Sequence, residues 1–200
     1  MNFTVKGEKY MNKTKRKIFE TSMKLFAEKG YDATSIEEIT ATVGVAKGTL
    51  YYHFSSKEEI FAFLVEEGVK LLKNSISIKT DNLTNSIDKI RAIVLIQIKV
   101  LFKYENFMTI ILSQIWGTDE RSQLCKKYVF EYIQMIEELA KEGIEKGEII
   151  DADSNVIASG IFGFISSSFI YKMRHGGDVD VQQLFSEVDN LFIKKMMKRK

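Results

Sequence analysis

The chain has 200 residues, 45% hydrophobic and 28% charged, an ordinary water-soluble composition that can bury one large or two small cores. The single cysteine, Cys125, excludes an intramolecular disulfide, and residues 1–10 hold no apolar run of signal-peptide length, so the expected location is cytoplasmic. Net charge is +2 but uneven: residues 1–57 hold 10 Lys and Arg against 6 Asp and Glu, which points a basic N-terminal end at a polyanion.

Residues 1–12 read as a flexible basic arm, with Met11 a possible second start. Lys13 to Lys29 reads as a first helix with Ile18, Phe19, Ser22, Leu25 and Phe26 on one side. Gly30 stops it in a left-handed conformation, which lets Tyr31 fold back on Phe26. A short second helix follows. Thr34 or Ser35 can cap it, with Glu37 or Glu38 three residues on completing a capping box, and Ile36, Ile39 and Val43 form its buried stripe. Thr40 and Thr42 lie off that stripe, Gly44 closes the helix, and Val45 turns inward.

The third helix, Ala46 to Tyr52, buries Leu50 and leaves Lys47, Gly48, Thr49, Tyr51, Tyr52 and His53 outside. Glycine in so short a helix costs about 1 kcal/mol against alanine, so Gly48 calls for a reason: close approach of backbone to DNA, or a tight turn. Ser55 or Ser56 caps the next helix, again with Glu58 or Glu59 three residues on. Two short helices joined by a Gly-centred turn, with hydroxyls and lysines on the outer face, form a helix-turn-helix suited to phosphate oxygens and base edges.

The segment GVAKGTLYYHFSSKEEIF resembles the tetracycline-repressor-like (TetR) family of bacterial transcription regulators, through Gly44, Val45, Gly48, Leu50, Tyr51, His53, Phe54 and Lys57. The resemblance implies base-edge contacts from Lys47, Gly48 and Thr49. It implies phosphate contacts from Ser35, Tyr51, Tyr52, His53 and Lys57, with Thr34 beside Ser35 at the same helix start. Two departures stand out: Ala46 replaces the usual Ser or Thr at the start of the recognition helix, and Thr40 and Val43 replace a small Ala. Ala46 cannot cap, which weakens that helix by roughly 1 kcal/mol.

A long helix from Lys57 to about Ser77 is the expected lever between a DNA-binding domain at 13–57 and a ligand-binding and dimerisation domain at 58–200. Helices are expected at Ser86 to Tyr104, Phe107 to Trp116, Thr118 to Lys146, Ser154 to Arg174 and Val181 to Lys198. No proline interrupts them and strand alternation is weak, so the fold class is all-α: a three-helix N-terminal domain plus a larger helical C-terminal one.

Phe102, Phe107, Met108, Ile111, Leu112, Trp116, Tyr128, Tyr132, Met135, Phe162 and Phe164 make the central helices aromatic and apolar, the walls expected of a cavity for a small lipophilic effector. Trp116, beside Gly117, is the leading candidate; at helical spacing any of the others also reads as plain core. Gln97, Lys99, Gln114 and Arg174 are the nearest polar groups, with solvent-facing the default for each.

Val156 to Tyr171 is uncharged for sixteen residues and rich in Gly and Ser, too short for an ordinary membrane span and better suited to a helix interface. With Leu184, Val188, Leu191 and Phe192 it predicts a homodimer through the last two helices, as the resemblance also implies. Such a dimer reads a roughly palindromic operator in double-stranded DNA.

His53 and His175 lie far apart with no ligand-spaced partners, and no nucleophile elbow or phosphate loop occurs, so neither catalysis, a metal nor a cofactor is expected. The sequence reads as a DNA-binding regulator, a repressor released by its effector, with an activator or an effector-independent protein of the same fold as the alternative.

Overall fold

The structure, a computed structural model, describes residues 12–176 and 179–198. Residues 1–11 of the expected arm lie outside the described residues. Helices α1 (Lys13–Lys29), α2 (Ile36–Val43), α3 (Lys47–His53), α4 (Lys57–Thr80), α5 (Ser86–Lys103), α6 (Glu105–Gln114), α7 (Glu120–Glu145) and α8 (Ser154–His175) follow in order. Then α9 (Val181–Val188) passes through a π-helical turn (Asp189–Ile193) into α10 (Lys194–Met196). Among the described residues the only extended pairing is one bridge, Ile149 to Met197.

Side-chain caps set most helix starts. Asn12, Ser35, Asn85, Asp153 and Asp180 each accept a backbone N–H of the first turn, which satisfies donors the helix itself cannot. At α4, Ser56 accepts the Glu59 N–H at 3.1 Å while the Glu59 carboxylate takes the Ser55 N–H at 2.6 Å. The reciprocal box expected at α2 is only half made: Ser35 accepts from Glu38 N–H at 3.0 Å, but the Glu38 carboxylate turns to Lys29.

The chain forms two compact units, Met1–Leu71 with Asn106–Lys126, and Leu72–Glu105 with Lys127–Lys200. This division differs from the expected one at residue 57. It falls inside α4 and inside α7, and it puts α6 with the N-terminal helices. Within the first unit a Cβ at Gly68 would lie 2.3 Å from Phe107 Cζ, so the Phe107 ring of α6 rests on the bare backbone of α4.

In the first unit Ile18, Phe26, Ile39, Leu50, Phe54, Ile60, Phe61 and Leu64 form a closed core. Tyr31 packs 5.1 Å from Phe26 and 5.4 Å from Phe61, ring centre to ring centre, after Gly30 turns the chain at φ 85°. Thr40, expected off the stripe, is buried, and its hydroxyl is satisfied by Glu37 O at 2.9 Å.

In the second unit α5 packs on α8 and α9, through Ile90, Ile93, Val94, Ile98, Ile161, Ile165, Phe169 and Val188. The single helix expected from Val181 to Lys198 is instead interrupted by the π turn, whose buried Asp189 pairs with Arg91 Nε at 2.7 Å. Wide turns of this kind re-aim a helix face. Here the turn leaves Val188 and Ile193 inside while Leu191 and Phe192 face out.

Candidate nucleic-acid interface and effector region

The Gly44 turn joins α2 to α3 with a left-handed backbone (φ 78°, ψ 41°), and its N–H returns to Thr40 O at 2.9 Å. Leu50, completely buried, fixes the inner side of α3. The outer side then carries Lys47, Gly48, Tyr51 and Tyr52 into solvent, Tyr52 at 84% exposure. Thr49 and His53 are half-buried at the margins, with the His53 ring 5.0 Å from that of Tyr52.

Gly48 has an ordinary helical backbone and no atom within 4 Å of a Cβ placed on it. That removes the tight-turn explanation. Nothing inside the protein requires glycine there, so the open surface at Gly48 is available for another molecule's close approach. Ala46 heads α3 without a side-chain cap, as its side chain dictates.

Lys47 reaches Glu37 on α2 at 2.5 Å, and their hydrogen bond lowers the Glu37 carboxyl pKa and raises that of the Lys47 ammonium. Both groups are exposed, so the pair is weak and water or phosphate competes for the ammonium. Ser35 is exposed; its oxygen accepts the capping N–H, which leaves the hydroxyl hydrogen to donate outward.

Two of the residues expected at the DNA face are engaged within the protein. Thr34 is 1% exposed and its hydroxyl sits 2.8 Å from Gly30 O and 3.3 Å from Leu25 O, so it ties the turn to α1 and faces no DNA. Lys57 donates to Tyr31 O at 2.9 Å and Thr34 O at 2.8 Å and lies 4.2 Å from the Tyr31 ring centre. Its charge fastens the turn before α2.

The expected effector residues divide between the units. Phe107, Met108, Ile111, Leu112 and Trp116 belong to the first, where Phe107 and Ile111 are buried and Met108 and Leu112 half-buried. Trp116 is 89% exposed, which corrects its place as a pocket wall: α6 ends at Gln114 and leaves the indole beyond the helix, in solvent.

Phe102, Tyr128, Tyr132 and Phe162 belong to the second unit and are all half-buried. There the Tyr132 ring lies 6.1 Å from Phe162, and Phe102 lies 5.6 Å from the deeply buried Phe169. Gln97, expected to face solvent, is buried instead and accepts the Tyr132 hydroxyl at 2.7 Å. Burial drives the Tyr132 phenol pKa well upward, so it remains a neutral donor. Ser166, on the same α8 face as Phe162 and Phe169, has a buried hydroxyl with no partner. Beside Phe102 an open cleft of ≈ 870 Å³ is lined by Lys99, Lys103, Lys172, Met173 and Val181.

Among the described residues no group of three His, Cys, Asp or Glu could hold a metal ion. Cys125 is buried and its thiol pKa is pushed up to about 12 by burial, an unreactive state.

Comparison with known proteins agrees with this geometry. The description "Bacterial regulatory proteins, tetR family" matches residues 18–64, the span from α1 into α4. A solved Clostridium perfringens putative fatty acid metabolism regulator is 30% identical, covers 90% of this chain and 98% of its own, and superposes with a TM-score of 0.83. The uncharacterized HTH-type transcriptional regulator YerO of Bacillus subtilis is 26% identical over 178 residues, 86% of this chain and 60% of that protein, so the chain spans less than two thirds of YerO. The negative transcriptional regulator IcaR of the Staphylococcus epidermidis biofilm operon is 46% identical over 52 residues, 26% of this chain and 28% of IcaR. With its helix-turn-helix, its all-helical fold and these relatives, the chain belongs to the tetR family of bacterial regulatory proteins and is a transcriptional regulator.

Proposed function

We propose that the protein is a cytoplasmic homodimeric repressor that holds a roughly palindromic operator through α2 and α3 and leaves it when a small lipophilic effector binds. The observation that carries the DNA reading is the outer face of α3, where Lys47, Gly48, Tyr51 and Tyr52 are exposed around a glycine that nothing inside the protein requires. Lys47, Gly48 and Thr49 meet base edges; Ser35, Tyr51, Tyr52 and His53 meet phosphates.

Pairing of two copies is supported by α8. Its length and composition would suit a membrane span, yet only 28% of its apolar window is buried within the chain, and its open side holds Val156, Gly160, Gly163 and Ile170. Space above both glycines permits close approach of a second helix, while three consecutive serines, Ser166 to Ser168, disfavour lipid. Leu191 and Phe192 of the π turn add exposed apolar surface, with Phe192 against Phe164 of α8.

The effector reading rests on the half-buried aromatics Phe102, Tyr128, Tyr132 and Phe162 of the second unit and on the part-buried Gln97–Tyr132 hydrogen bond beside Phe162, a polar group among apolar ones. A fatty acyl compound fits that chemistry, and the Clostridium perfringens relative is named a fatty acid metabolism regulator. Repression follows the likeness over 52 residues to IcaR, a negative transcriptional regulator. The test is a titration of the protein–operator complex with medium- and long-chain fatty acids and their coenzyme A thioesters. Saturable release is expected and should be weakened by Tyr132→Phe; a complex unmoved by every acyl compound would refute the effector class.

A further inference from the structure

Arg121, in the first turn of α7, touches the turn that leads into the DNA reader, 89 residues away in sequence. Its guanidinium carbon lies 3.9 Å from the centre of the Tyr31 ring, and its Nη1 donates to the Asp32 carboxylate at 2.9 Å. On its own side Nε donates to Asp119 at 3.0 Å, and Asp119 in turn accepts the Ser122 N–H at 2.8 Å. The guanidinium is thus held from behind by the start of α7 and lies over the Tyr31 ring.

What it holds is short and stiff. Lys57 ties the carbonyls of Tyr31 and Thr34, the Tyr31 hydroxyl donates to Glu58 at 2.7 Å, and the Thr34 hydroxyl bonds back to Gly30 O and Leu25 O. Ser35, the cap of α2, is the next residue. Asp32 is 87% exposed, so its ion pair with Arg121 contributes little alone. The stacked contact on the buried Tyr31 ring is the stronger part, because a guanidinium over a desolvated aromatic face is attracted by the ring quadrupole.

We propose that Arg121 is a positioning residue for DNA binding: from α7 it fixes the Tyr31–Thr34 turn and so places Ser35 and the start of α2 against the phosphate backbone. It touches no DNA itself. The inference rests on reading Ser35 as a phosphate contact, and it gives the segment 106–126 a stake in operator affinity that the motif at 34–57 does not reveal.

The test reads operator affinity of the full chain, on an operator selected from random DNA, in a double-mutant cycle between residues that do not touch. Arg121→Met should weaken binding by about tenfold with the salt dependence unchanged, since no cation leaves a phosphate. Ser35→Gly keeps an acceptable cap, deletes the hydroxyl, and should weaken binding by about three- to tenfold. In the Arg121→Met background Ser35→Gly should add little, because the contact is already lost. Arg121→Lys, which retains a cation for Asp32 but not the planar stack, should recover only part of the loss, and thermal melts confirm that each variant is folded.

Additive losses for Arg121→Met and Ser35→Gly would overturn the positioning role. So would a salt slope reduced by about one in Arg121→Met, which would make Arg121 a phosphate contact. Absence of any effect of Ser35→Gly alone would instead remove the Ser35 contact, and with it this route to DNA.

Discussion

Lys57→Met separates a clamp from a phosphate contact. Methionine keeps the aliphatic stem and removes the ammonium that donates to Tyr31 O and Thr34 O at 2.9 and 2.8 Å and faces the Tyr31 ring at 4.2 Å. Hydrogen bonds from a charged donor are worth about 1.5–3 kcal/mol each when well buried, and a cation over a ring about 0.5–1 kcal/mol. Lys57 is half-buried, so water takes over part of the carbonyls' demand, and the expected net loss is about 2 kcal/mol. For a chain of this size that lowers the melting temperature by roughly 4–8 °C. The assay pairs thermal unfolding with operator binding at several salt concentrations. Because no phosphate contact is removed, the slope of log K against log salt should stay as it is, even if affinity falls with the loosened turn. An unchanged melt together with a slope shallower by about 0.9 would refute the clamp and restore Lys57 to the phosphate backbone.

Glu37→Gln releases Lys47 from its ion pair and removes an acid beside the reading face, so operator binding should tighten several-fold; unchanged affinity would mean that the pair does not restrain Lys47. Gly68→Ala drives a methyl into the Phe107 ring and should destabilise by about 1–3 kcal/mol, with Phe107→Leu in the same chain recovering part; a neutral Gly68→Ala melt would show that α6 does not rest on α4 there. Burial first, and then the hydrogen bond to Glu58, raise the Tyr31 phenol pKa above its ordinary 10.0. The folded state therefore holds that proton where the unfolded chain loses it, so this stability is complete below about pH 10 and lost as pH rises further. Tyr31→Phe should accordingly show a shallower alkaline loss of stability, and identical alkaline slopes would contradict the linkage. Gly163→Glu places a charge on the open side of α8 and should yield monomers by sedimentation; a dimer of unchanged affinity would remove α8 from the interface.

Much of the reading head was legible because its determinants are local. Gly30 and Gly44 mark their turns wherever the rest of the chain goes, Leu50 and Phe54 declare an inside, and Ala46 shows an uncapped start from its own side chain. What escaped was decided by distant partners. Thr34 and Ser35 are equally good caps by type, and the choice between them was made by the carbonyls of Leu25 and Gly30, which claim the Thr34 hydroxyl. Lys57 stands in a motif that suggests phosphate, but two carbonyls 23 and 26 residues upstream already hold its ammonium.

Beyond the head, α6 falls with the N-terminal helices and its Phe107 rests against Gly68, a contact between helices that periodicity cannot register. Trp116 reads as a pocket wall only if α6 reaches it; the helix stops two residues earlier. Gln97 looks solvent-facing because glutamine usually is, and it is buried because Tyr132 supplies its partner. The stripe Leu184, Val188, Leu191, Phe192 assumes an unbroken helix, whereas the π turn at Asp189 rotates its second half outward.

The central claim is two-fold reading of DNA by α2 and α3, and the most direct measurement is selection of bound sequences from random DNA by the full chain, followed by footprinting and stoichiometry on the enriched site. Expected are an inverted repeat whose half-sites lie about 34–36 Å apart or a multiple of that, two or more chains per site in whole pairs, and loss of enrichment in Lys47→Ala. A site without inverted symmetry, filled by a single chain and enriched equally by Lys47→Ala, would contradict it.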